Sequence, residues 1–117
     1  MILVVDDDKR TVRTLRIWLE GEGFKVATAE NGLKAYGQAK DPECQCILLD
    51  ITMPRINGVE LLLLLQEERV QVPVIIMTGL EDVTESEMKE FKNVTCLLHK
   101  PFSIGDMLSA IDMYKAA

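Results

Sequence analysis

A chain of 117 residues, 48% of them hydrophobic, has the size and composition of one globular domain. Its 13 Lys and Arg against 19 Asp and Glu leave a net charge of −6, which argues against nucleic acid as a direct partner, and no apolar run approaches the ~20 residues that a membrane span needs. Three cysteines, Cys44, Cys46 and Cys96, form an odd set without a disulfide framework, so the expectation is a single cytoplasmic domain over residues 1–117, with no signal peptide ahead of Ile2.

Ile2-Leu3-Val4-Val5 is a short strand, apolar on both faces, that stops at Asp6-Asp7-Asp8. A helix from about Lys9 to Glu22 follows. It turns Leu15, Trp18 and Leu19 inward and Arg10, Arg13, Arg16 and Glu20 outward, with Asp8 as N-cap and Gly23 as terminator. Lys25 to Ala29 alternates like an edge strand. Asn31-Gly32 reads as a turn, and Leu33 to Lys40 as a short helix closed by Asp41-Pro42.

Cys46 to Asp50 is a buried strand with Asp50 at its C-terminal end, and Pro54 and Asn57-Gly58 force a loop before a helix over Val59 to Glu68. Val72 to Met77 is another apolar strand, ending at Thr78-Gly79. After the acidic loop Leu80 to Glu85, a weakly patterned helix runs from about Ser86 to Phe91. Thr95 to Leu98 makes a fifth strand that ends at His99-Lys100-Pro101. Ser103 caps a last helix through about Tyr114, with Ile104, Met107, Leu108 and Ile111 inward.

Strands alternating with helices, and strands apolar on both faces, predict an α/β fold with a parallel sheet between helices. Right-handed crossovers make it doubly wound, and five strands suit the flavodoxin-like order 2-1-3-4-5 in three α/β/α layers. In that order the first, third, fourth and fifth strands end at one rim. Asp6 and Asp7, Asp50, Thr78 and Lys100 are then neighbours.

Carboxylates brought together repel one another, so one is protonated or a cation binds. A hard cation with oxygen ligands fits, Mg²⁺ best. Together with the Lys100 ammonium and the Thr78 hydroxyl it can hold the equatorial oxygens of a phosphoryl group attacked in line by Asp50. Taken singly, Asp8 is as well explained as a helix cap, and Lys100-Pro101 and Thr78-Gly79 as surface turns. The informative feature is their convergence from four strand ends.

This pattern resembles the receiver domain of two-component response regulators, over the whole chain. The residues that carry the resemblance are Asp6-Asp7, Asp50 within Asp50-x-x-Met53-Pro54-x-x-x-Gly58, Thr78, and Lys100-Pro101-Phe102. It implies that Asp50 accepts a phosphoryl group from a phosphohistidine on a sensor histidine kinase or phosphotransfer protein. It implies Mg²⁺, with Mn²⁺ as a substitute, held by Asp7, Asp50 and the backbone carbonyl of Thr52, with Asp6 acting through water. Lys100 would contact the carboxylate or phosphoryl oxygen, and Thr78 would bond the phosphoryl group and pass the change on to an output domain or protein. The stripe Arg10, Arg13 and Arg16 reads as a solvated helix face, with Arg16–Glu20 as an i,i+4 pair; the resemblance adds the alternative that this first helix docks the kinase. Leu97 departs from the pattern, standing where such domains often carry the aromatic ring that moves with the threonine. The acidic helix region with Glu85, Glu87 and Glu90 is a second departure.

Other features have two readings. In the run Leu61 to Leu65, Leu63 and Leu64 are left pointing partly outward, either as scattered exposed residues or as a contact patch for a homodimer or a docked domain. Cys44, Cys46, Cys96 and His99 could suggest a metal site, but Cys46 and Cys96 fall on strands with another between them, and buried inert thiols fit better. Against an aspartyl-phosphate hydrolase stands Thr52, an alcohol where such enzymes need a second acid. Against a nucleotide- or flavin-binding module stands the Asp6-Asp7-Asp8 run, which repels phosphate unless a metal intervenes. A docking module that works without phosphorylation remains a third alternative.

Overall fold

The computed structural model describes residues 1–51 and 58–115. Among the described residues ten elements alternate: β1 (Ile2–Val5), α1 (Lys9–Gly21), β2 (Val26–Ala29), α2 (Gly32–Ala39), β3 (Cys46–Asp50), α3 (Gly58–Glu67), β4 (Val74–Thr78), α4 (Glu85–Met88), β5 (Val94–His99) and α5 (Ile104–Lys115). The strands form one parallel sheet in the order β2-β1-β3-β4-β5, as the apolar runs predict.

Period-two alternation divides the core into two layers. Leu3, Val5, Ile47, Leu49, Val74 and Ile76 meet the helices α2, α3 and α4 through Ala35, Ala39, Leu61, Leu62, Leu65 and Met88. The intervening residues Ile2, Val4, Cys46, Leu48, Ile75 and Met77 meet α1 and α5 through Leu15, Leu19, Met107, Ala110 and Ile111. Every residue of β1, β3 and β4 is buried, whereas β2 at the edge is mostly half-buried.

The element ends follow local chemistry. The Arg10 N–H donates to Asp8 Oδ1 at 2.9 Å, which makes Asp8 the N-cap of α1. Gly23 ends that helix at φ 89, a backbone region that favours glycine. Asn31 is the N-cap of α2 and not a turn residue, because its Oδ1 accepts from the Lys34 N–H at 2.8 Å. β4 starts at Val74 and not at Val72, since Pro73 has no N–H to give a ladder.

Two further expectations are corrected. Ile104 is 38% exposed: it lies in the first turn of α5, whose first buried residue is Met107. That turn is closed by a reciprocal cap, Asp106 N–H to Ser103 Oγ at 3.0 Å and Ser103 N–H to Asp106 Oδ2 at 3.1 Å. The helix expected over Ser86 to Phe91 is the single turn of α4, capped by Thr84. It stops early because the chain must deliver Asn93 to the foot of the sheet.

Asn93 is 8% exposed, and its Nδ2 donates to the carbonyls of Val70 at 2.7 Å and Val72 at 2.8 Å. Its own carbonyl accepts from Val74 N–H at 2.8 Å. One side chain thus ties the approach to β4 to the start of β5. Asn93→Ala leaves two carbonyls without their donor and should cost about 2–3 kcal/mol. Urea unfolding should show this as a lower midpoint at an unchanged slope.

Candidate functional site

The parallel sheet delivers four chemically distinct residues to one rim. Asp6 follows β1, Asp50 is the last residue of β3, Thr78 the last of β4, and Lys100 follows β5. The register sets their neighbours: Val5 lies beside Leu49, Asp50 beside Met77, and Thr78 beside His99. Asp6 and Asp50 are 3% and 4% exposed and Thr78 is fully buried, so the polar ends stand at the lip of an apolar sheet.

Lys100 joins two of these strands across the rim. Its Nζ donates to Asp50 Oδ2 at 2.6 Å and to Asp6 Oδ2 at 2.8 Å. Its backbone N–H donates to the Thr78 carbonyl at 2.7 Å, which prolongs the β4–β5 ladder by one bond and fixes where the side chain starts. Asp6 is oriented from the other side by the Asp8 N–H, which donates to its Oδ1 at 2.9 Å. Burial works against the Lys100 charge, but its hydrogen bonds to Asp50 and Asp6 outweigh that and push its pKa above the ordinary lysine value. For Asp6, burial raises the pKa more than Lys100 and the Asp8 N–H lower it.

The remaining expected residues divide. Asp7 is exposed and, with Asp6, lines an open cleft of about 920 Å³ between α1 and the β2–α2 connection. Among the described residues no three carboxylate, imidazole or thiol side chains are already gathered closely enough to hold a metal ion; the Lys100 ammonium bonds both Asp6 and Asp50. The donor chemistry nonetheless suits a hard dication, because three carboxylates share one rim with one ammonium. Thr52, Met53 and Pro54 lie outside the described residues.

Thr78 Oγ1 accepts from the Leu80 N–H at 3.0 Å, so its hydroxyl is oriented by its own following loop. Gly58 has a role that a turn signal does not convey. A Cβ there would sit 2.8 Å from Ile51 Cγ2 and 3.3 Å from Ile51 Cα, so only glycine lets α3 begin this close to the residue after Asp50.

The cysteines do not form a cluster with His99. Cys46 and Cys96 are buried in β3 and β5 with β4 between them, and burial pushes both thiols up. His99 instead sets its Nε2 2.9 Å from the Val83 carbonyl; with a carbonyl as partner, that nitrogen carries the proton. The Leu97 N–H donates to Glu85 Oε1 at 3.1 Å. Sequence reading misses both contacts, which span separations of 16 and 12 residues and have no local signature.

A buried strand-end carboxylate beside an ammonium has the chemistry to serve as an oxygen nucleophile, with a counter-charge at hand for an incoming anion. Comparison with known proteins shows the family. Residues 2–112 match the response regulator receiver domain family. The transcriptional regulatory protein SrrA of Staphylococcus aureus is 35% identical over 102 residues, which cover 87% of this chain and 42% of that protein. The chain therefore spans about two-fifths of the length of the curated relatives it matches.

Among solved structures, the receiver domain of the Francisella response regulator 1452 superposes with a TM-score of 0.83 at 31% identity, covering 98% of this chain and 96% of that one. The CheX–CheY–BeF3–Mg+2 complex from Borrelia burgdorferi gives 0.84 at 29% identity, covering 99% and 88%. The chain belongs to the response regulator receiver domain family, the phosphoacceptor switches of two-component signalling.

Proposed function

We propose that Asp50 is the phosphoacceptor and that residues 1–117 act as one receiver domain. The observation that carries this reading is the meeting of Asp50 and Asp6 on the Lys100 ammonium, at 2.6 and 2.8 Å. Asp50 stands at the end of a fully buried strand, so its carboxylate is held for attack and not free to wander. One of its oxygens attacks the phosphorus in line, the bond from phosphorus to the donor's histidine nitrogen breaks, and that electron pair returns to the imidazole. Lys100 offsets the charge that gathers on the phosphoryl oxygens, and Thr78 donates its hydroxyl proton to one of them. Water later attacks the same phosphorus, the bond to Asp50 breaks, and inorganic phosphate leaves. The domain thus loads and clears its own acceptor and is not a conventional enzyme.

Asp7, Asp50 and the Thr52 carbonyl would hold Mg²⁺, or Mn²⁺ in its place, with Asp6 acting through water. When bound, the ion supplies positive charge to the phosphoryl oxygens. The all-oxygen donor set and the surplus of carboxylate over ammonium at the rim support this, and so does the Mg+2 in the Borrelia complex.

The phosphodonor is a sensor histidine kinase or phosphotransfer protein. A groove of about 450 Å³ between α1 and the β5–α5 connection supports a docking place, with Leu15, Trp18, Pro101 and Phe102 along it and Arg10 at its side. Trp18 and Phe102 meet edge to face, with ring centroids 6.4 Å apart. Lys100 also lines this groove, so a helix laid there brings its histidine toward Asp50. The partner downstream is an output domain or protein, in keeping with the regulatory role in the Staphylococcus relative's name. Contact with nucleic acid or membrane by this domain is no part of the reading: the charge is −6 and no helix among the described residues is long and apolar enough to cross a membrane. The setting is cytoplasmic.

Incubation with acetyl phosphate and Mg²⁺ should add one phosphoryl group by intact mass. The adduct should be missing without Mg²⁺ and in Asp50→Asn. An adduct that persists in Asp50→Asn would reassign the acceptor, and none in the native protein would leave a module that docks without phosphorylation.

A further inference from the structure

The connection from β4 to α4 is tied to the sheet edge twice. β5 is an edge strand, so an N–H on its outer side has no neighbouring strand to bond. The Leu97 N–H is such a group, and Glu85 Oε1 accepts from it at 3.1 Å. Two residues on, the His99 ring donates from Nε2 to the Val83 carbonyl at 2.9 Å. Glu85 Oε2 also lies 4.0 Å from Lys89 Nζ, four residues on.

These ties matter because the segment they hold has little cohesion of its own. α4 is one turn, Glu85–Met88, too short to be stable without outside contacts. At its other end the segment is hooked to the site, through the Leu80 N–H that donates to Thr78 Oγ1 at 3.0 Å. Residues 79–84 therefore form a strap with one end on Thr78 and the other on β5.

A phosphoryl group on Asp50 would claim the Thr78 hydroxyl. Turning that hydroxyl toward Asp50 moves the acceptor that the Leu80 N–H uses, and the strap must follow. It cannot follow far while Val83 and Glu85 stay fastened to β5. Leu97 is aliphatic and half-buried, so the link between strap and strand at this position runs through its main-chain amide and not through a ring.

We propose that the Glu85–Leu97 and Val83–His99 contacts are an autoinhibitory clasp, which holds the strap on β5 in the unphosphorylated domain and opens when Thr78 engages the phosphoryl group. The inference rests on Asp50 being the acceptor. By linkage, whatever weakens the clasp strengthens binding at the acceptor site, and binding there weakens the clasp.

The test uses beryllofluoride with Mg²⁺ as a phosphoryl mimic, titrated into the native protein, Glu85→Ala, His99→Ala and Glu85→Gln, with amide resonances as the readout. Glu85→Ala and His99→Ala should bind the mimic about 5–10-fold more tightly, within the usual span of coupling between sites. Glu85→Gln keeps an acceptor oxygen and should stay near the native affinity. In the native protein the Leu97 amide should exchange with solvent faster once the mimic is bound. Unchanged or weaker binding by Glu85→Ala, or Leu97 protection indifferent to the mimic, overturns the clasp and leaves the acceptor assignment standing. A native protein that forms no beryllofluoride complex overturns the acceptor assignment and the clasp with it.

Discussion

Lys100→Met should lower the stability of the metal-free protein at pH 7 by about 3 kcal/mol, the lower end of the range for stripping a buried ion pair of one partner. Methionine keeps the length and apolar bulk of the stem and removes only the charge. Asp6 and Asp50, 3% and 4% exposed, would then face each other without the ammonium that both now bond. The lower end applies because the Lys100 side chain is still 24% exposed, so water can reach the gap.

The pH dependence has a defined sign. The raised pKa of Lys100 means that its contribution is complete below the unfolded lysine value of 10.5 and is lost as pH climbs through the folded value. At the acid end Asp6, whose pKa burial raises, takes up a proton and no longer needs the ammonium. The difference between native and variant should therefore be full below pH 10.5, down to that acid end, and shrink as pH climbs through the raised Lys100 value. Adding Mg²⁺ should recover part of the loss in the variant, since a dication can replace the missing positive charge. Chemical unfolding with and without Mg²⁺ measures all three effects.

The leucine run on α3 sets up a second large difference between adjacent residues. Leu62 has no exposure and Leu63 is 44% exposed, although the two are chemically identical. Leu62→Ala should cost about 2–5 kcal/mol, from lost transfer energy and the cavity left between α3 and the sheet. That is a large part of the roughly 5–15 kcal/mol that holds such a domain together, and it should lower Tm by on the order of 10 °C. Leu63→Ala should stay within about 0.5 kcal/mol. Should Leu63, with Val59 one turn earlier at 40% exposed, form a homodimer contact, Leu63→Glu would change the size of the protein in solution without changing its stability as a monomer. An unchanged size would leave it a scattered surface residue.

The strands are legible because each is an apolar run closed by a polar stop: Ile2–Val5 by Asp6, Cys46–Asp50 by its own aspartate, Val74–Thr78 by its threonine. Runs apolar on both faces allow only a parallel sheet covered by helices, and that topology carries the four rim residues with it. What resists reading is non-local side-chain geometry. The strand order brings Lys100 to the rim, but only the folded chain shows its flexible stem bridging Asp6 and Asp50. Nothing near Asn93 announces that it will serve the carbonyls of Val70 and Val72. α4 is a weak pattern that tertiary contacts cut to one turn, and Ile104 misleads because helical periodicity does not say where along its length a helix first meets the core.

The thiols add something of a different kind. Only the thiolate is reactive, and burial holds all three cysteines away from it. They are buried to different degrees, however, and at different places in one sheet. Cys44 is half-covered just before β3, Cys96 lies in the outer strand β5, and Cys46 sits in the middle strand with no exposure. An alkylating reagent must wait for a fray to reach the first, for the edge to peel to reach the second, and for the sheet to part to reach the third. Peptide mapping over a labelling time course would separate three scales of opening in a single native sample, and the slowest of them belongs to the strand that ends in Asp50.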